Sequence, residues 1–129
     1  MGKRALIGFL VVLFAVCSSV FGAYGGGGGI EGDPYLIYDA NQLNAIGANS
    51  PDWDKHFKLR ANIDLSAYTG DSFNLIGIQY SEAFTGVFDG NGHAISNFNY
   101  TCSDRHYIGF FGFVNDDNAE IKNLIHVRI

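Results

Sequence analysis

The most regular pattern in the chain is the run FKLRANIDL. In it Phe57, Leu59, Ala61, Ile63 and Leu65 alternate with Lys58, Arg60, Asn62 and Asp64. A period of two predicts one strand with a buried apolar face and a wet polar face. Shorter apolar runs follow at Phe73 to Ile78, Phe84 to Phe88, Ala94 to Tyr100, Tyr107 to Val114 and Glu120 to Ile129. The Asp, Asn, Gly and Ser clusters between them are the residues that turns require.

Ahead of these runs, DPYLIYDANQLNAIGANS predicts a short strand at Tyr35 to Tyr38 and then a helix. Asp39 is its expected N-cap, Gln42 stands where a capping box places it, and Leu43 and Ile46 share a face. Gly47 and Asn49 are the expected stop, with Pro51 blocking continuation.

Two internal matches bear on architecture. ISNF at Ile95 recurs as IKNL at Ile121, and GVF at Gly86 recurs as GFF at Gly109, offsets of 26 and 23 residues. A loop insertion between matched strands absorbs the difference, and the period is that of a solenoid coil. On that reading Asn97 and Asn123 occupy equivalent places in successive coils, stacked about one strand spacing apart, ~4.8 Å. An antiparallel sandwich of short strands fits the same run lengths.

The N-terminus changes the picture of destination. Lys3 and Arg4 precede an apolar run from Ala5 to Val16 and a small-residue stretch from Cys17 to Ala23. This is the layout of a secretory signal peptide over residues 1–23. Gly25 to Gly29 are consecutive glycines, so residues 24–33 read as a flexible joint rather than a phosphate loop, which would need a Lys and a Ser or Thr next. Residues 34–56 then form an N-terminal capping segment with the helix, and residues 57–129 form the coils.

The formal charge is −5, and loss of Lys3 and Arg4 with the leader makes the remainder more acidic. Nucleic acid and, after cleavage, the membrane are therefore not expected as partners. Cys102 is the single cysteine beyond the leader, so an internal disulfide is excluded.

The stretch IGFFGFVNDDNAEIKNL, preceded by FTGVFDGNGHAISNFNY, resembles the repeat of bacterial secreted and surface proteins with the GLUG motif. Gly109, Phe110, Phe111 and Gly112 stand for its Gly-Leu-hydrophobic-Gly core, with Gly109 and Gly112 in structural roles. The segment from Asp33 to Gly70 resembles the opening part of such proteins. The resemblance implies an all-β chain, a right-handed parallel β-helix with one N-terminal capping α-helix, and does not itself imply a catalytic function. Because Ile121, Leu124, Ile125, Val127 and Ile129 still call for burial, the coils are expected to continue in further coils or domains of the same polypeptide.

Candidate chemistry is sparse. His56, His93, His106 and His126 lack the spacing around a Glu that a zinc peptidase helix needs. Asp89 and Asn91 alternate as oxygen ligands do in calcium loops, and Asp116 could add oxygens from a neighbouring coil. A structural calcium there would still want more carboxylates than one turn supplies. Tyr80, Tyr100 and Tyr107 are candidates for stacking on sugar rings, though packing explains them equally. The expected function is a secreted or cell-surface repeat scaffold, adhesin-like, that binds an extracellular glycan or protein without catalysis. The alternative is a fragment of a polysaccharide lyase or glycoside hydrolase, which requires carboxylates converging on one face.

Overall fold

A computed structural model describes residues 23–102 and 109–125. The expected leader therefore lies outside the described residues except for Ala23. Strand β1 (Tyr35–Ile37) is followed by helix α1 (Ala40–Ala48), β2 (His56–Leu59), β3 (Ile63–Asp64), β4 (Val87–Asp89), β5 (Ile95–Ser96) and β6 (Glu120–Lys122). Every pairing between these strands is parallel, in one sheet of order β1-β2-β4-β6 and a second of β3-β5.

The expected closed right-handed β-helix is corrected by this topology. The described strands form two separate open sheets, with helix α1 beside them. The remaining parallel contacts are single bridges, Ile76 to Phe111 and Phe84 to Val114, rather than ladders. Strands of two to four residues carry too few ladder bonds to join such walls. The matched repeats also part company: Ile95 pairs with Ile63, whereas Ile121 pairs with Phe88 in the other sheet. Asn97 and Asn123 thus end strands of different sheets and do not stack on one another.

FKLRANIDL is two strands, not one. The Arg60 amide makes a last bond to the Ile37 carbonyl at 2.8 Å, and the chain then turns so that the Ile63 amide reaches the Ala94 carbonyl at 2.9 Å. The alternation nevertheless survives the corner. Phe57, Leu59, Ile63 and Leu65 are buried, because both sheets face one core, whereas Ala61, also expected to point inward, is only half-buried at the corner. In that core Phe73 stacks on Phe110 at 5.4 Å, and Phe88 meets Phe111 edge-on at 5.2 Å.

Helix α1 starts as expected, with the Asp39 carboxylate accepting from the Gln42 amide at 2.8 Å. The Gln42 side chain reaches back to the Tyr38 amide at 2.7 Å. Gly47 is not the stop, which falls at Asn49; it lies inside the helix, where close approach requires glycine, since a Cβ there would sit 2.0 Å from the Asn74 carbonyl oxygen. The Trp53 indole closes the end by donating to the Ile46 carbonyl at 2.7 Å.

Residues 24–33 are not a loose joint. The Leu36 amide donates to Gly26 and its carbonyl accepts from Gly25, so the glycine segment satisfies the outer edge of β1. Gly27 has φ of 88°, and a Cβ on it would lie 1.8 Å from the Pro34 carbonyl oxygen. Glycine is required here by close approach as well as by backbone sign.

Candidate binding face

Parallel register turns alternation along each strand into rows across the sheet. Facing outward on the four-stranded sheet are the row His56, Val87, Glu120 and the row Leu36, Lys58, Asp89, Lys122. The inward row between them is Tyr35, Phe57, Phe88 and Ile121. Between the outward rows and the turn at Glu31 and Gly32 runs an open groove of about 490 Å³, with Pro34, His56, Lys58, Asp89, Glu120 and Lys122 in its lining.

Both signs of charge stand along this groove at one strand spacing, ~4.8 Å. Lys122 lies 3.7 Å from Glu120, and among the described residues Lys58 makes no ion pair. The Asp89 carboxylate is turned toward the strand end, where it accepts from the Asn91 amide at 2.8 Å and the Asn123 side chain at 3.1 Å. Such a surface offers donors and acceptors in rows, which suits a polar chain laid across the strands.

The two-stranded sheet repeats the same device. Asn97 donates to the Asp64 carboxylate at 2.8 Å, and the Ser66 amide adds a second bond at 2.9 Å. The Asn97 side chain, then the Ser66 bonds, hold the Asp64 carboxyl below the usual value. A shallower groove of about 350 Å³ lies alongside, between Ser66, Tyr68 and Asn97 to Asn99. At the far end of the core, burial and then the neighbouring Asp52 push the Tyr24 hydroxyl up. That hydroxyl donates to Asp52 at 2.9 Å.

The calcium candidates do not assemble. Asn91 spends its side-chain amide on the Leu59 carbonyl at 3.1 Å, and Asp116 accepts from the Asn118 amide at 2.8 Å within its own turn. Among the described residues no three His, Cys, Asp or Glu side chains come together to hold a metal. Tyr80 is 71% exposed on a turn, while Tyr100 packs half-buried against the core, and neither lines the groove. Tyr107, His106 and His126 lie outside the described residues. Gly112 packs against the Gly77 carbonyl oxygen, which a Cβ would approach to 2.2 Å; a Cβ on Gly109 would come no closer than 3.1 Å, to the Phe111 carbonyl oxygen.

Sequence reasoning did not single out Lys58, Glu120 and Lys122 as a surface. The polar face of FKLRANIDL gave Lys58 its direction, but only the register between strands brings it beside Asp89 and Lys122. Among the described residues, no helix is long and apolar enough to cross a membrane.

No family model matches the chain, and no solved structure matches it. Two curated proteins are similar. One, from Evansella cellulosilytica, is named "Putative Gly-rich membrane protein" and is 35% identical over 127 residues, covering 93% of this chain. The other, named "Halomucin" and from Haloquadratum walsbyi, is 36% identical over 93 residues, covering 68% of this chain. The chain spans 14% of the length of the first and 1% of the second.

Proposed function

We propose that the chain is a secreted or cell-surface binding module without catalysis, whose outward sheet face engages an extracellular glycan or protein. The observation that carries this reading is the groove lined by Lys58, Asp89, Glu120 and Lys122, where charged side chains stand in register on adjacent parallel strands. The names of the two relatives, a membrane protein and a halomucin, support a place at the cell surface. Kinship with GLUG-motif proteins belongs to the same proposal, and Gly112 against Gly77 is the packing that a Gly-hydrophobic-hydrophobic-Gly core would need.

The test is a binding screen of the purified chain against extracellular polysaccharides and envelope proteins, run beside a Lys58→Ala/Lys122→Ala variant. A ligand whose affinity falls about tenfold or more in the variant, from loss of two charge-assisted contacts, supports the reading. Binding that is indifferent to both lysines rejects the groove. Cleavage of a polysaccharide by the chain would overturn the proposal in favour of a degrading enzyme.

A further inference from the structure

The corner between β4 and β5 is built on Asn91-Gly92. Both residues have positive φ, 52° and 80°, and the His93 amide closes the turn on the Gly90 carbonyl at 2.8 Å. Two consecutive residues in that region are the requirement that Asn-Gly meets best. A Cβ on Gly92 would meet nothing within 4 Å, so backbone sign and not packing selects glycine there. The pair that the corner demands is also chemically labile, and no other asparagine in the sequence is followed by glycine. With no side chain at residue 92 to hinder it, the Gly92 amide nitrogen can attack the Asn91 Cγ once hydroxide removes its proton. The N–Cγ bond forms, the Cγ–Nδ2 bond breaks, and the side-chain nitrogen takes up a proton from solvent and leaves as ammonia. Water then opens the cyclic imide at either carbonyl, leaving aspartate or isoaspartate. Both residues are exposed, so water and hydroxide reach them.

The fold pins both reacting atoms. The Gly92 amide donates to the Asn123 carbonyl at 2.8 Å, which keeps the proton on the attacking nitrogen. The Asn91 Nδ2, the leaving group, donates to the Leu59 carbonyl at 3.1 Å. The same strap of residues 122–125 is tied down on either side, by the Gly90 amide on the Lys122 carbonyl at 2.8 Å and the Ile125 amide on the His93 carbonyl at 3.0 Å. We infer that Asn91-Gly92 is a deamidation site that the folded chain holds closed and that opens when residues 122–125 lift from the corner. Conversion of Asn91 then records that local opening irreversibly. The product cannot rebuild the corner, because a carboxylate at residue 91 has no hydrogen to give the Leu59 carbonyl and adds a like charge two residues from Asp89. Isoaspartate also inserts a carbon into the main chain between β4 and β5.

Peptide mapping by mass spectrometry tests this on the purified 129-residue chain, incubated in mildly alkaline buffer with and without denaturing urea, beside Asn123→Gly and Asn91→Asp. Conversion of Asn91 should be roughly tenfold or more slower in the folded chain, since it then waits on a local opening. Asn123→Gly keeps the left-handed backbone but loses the bond to Asp89, so the strap lifts more often. Conversion at Asn91 should then speed up about threefold or more, the effect of one lost hydrogen bond, and hydrogen exchange of the Gly92 amide should rise by the same factor. In the unaltered chain, conversion and Gly92 exchange should share one dependence on urea below the unfolding transition, a comparison that needs no variant. Asn91→Asp, the product without the extra main-chain carbon, should lower the urea midpoint. Equal rates in the folded and unfolded chain overturn the inference. Asn123→Gly converting no faster, urea dependences that differ, or an Asn91→Asp chain as stable as the original overturn it too.

Discussion

Asn97 and Asn123 end their strands in the left-handed region, with φ of 60° and 55°. Asparagine tolerates that region better than other residues with a Cβ, because its short amide finds local partners. Each side chain donates to an aspartate 33 or 34 residues earlier, at the end of the neighbouring strand. The pairing makes a pH prediction at Asp64, whose depressed folded value means that its contribution to stability is present above the ordinary carboxylate value. That contribution is lost as pH falls through the lower folded value. Asn97→Ala removes the largest cause of the depression, so the Asp64 titration followed by NMR should move up toward the ordinary value. The acid-induced loss of stability should shrink in step. An unmoved Asp64 titration would show that the Ser66 bonds alone set it.

Helix α1 owes its start to one side chain and its burial to two. Asp39 satisfies one of the orphan amides at the N-terminus, and Leu43 and Ile46 are fully buried against the sheets. Asp39→Ala should cost about 1 kcal/mol, the usual loss for an N-cap, measured as a lower urea midpoint with unchanged slope. The strands depend far less on their own length. With two to four residues each, they persist because parallel neighbours and a shared aromatic core hold them. The same dependence explains why a nine-residue alternation was readable as a buried and a wet face but not as two strands. Nothing local to Ala61 announces that Arg60 will bond Ile37 while Ile63 bonds Ala94.

At the scale of the whole molecule, an aromatic column from Tyr35 through Phe57 to Phe88, flanked by Phe84, Phe110 and Phe111, runs through the buried core. Phe88 has no exposed surface, and Phe88→Ala should destabilise by about 3–5 kcal/mol in chemical denaturation. Tyr80→Ala, on an exposed turn, should stay within about 0.5 kcal/mol. Equal losses at the two positions would refute this placement of the core.

The sequence by itself determined the helix with its cap, the inward direction of Phe57, Leu59, Ile63 and Leu65 though not of Ala61, and where turns interrupt the chain. These are local matters of side-chain period and backbone preference, and they act within a few residues. Tertiary structure alone decided that Ile95 meets Ile63 rather than Ile121, that Gly25 and Gly26 cover an edge, and that Lys58, Asp89 and Lys122 form one row. Parallel pairing joins segments about thirty residues apart through backbone groups that every residue possesses, so short motifs leave register undetermined. The loop VFDGNGHAISNF shows the division: its glycines and Asn91 marked a corner, but only the fold revealed that Asp89 would be held by Asn123 and set in a charged groove.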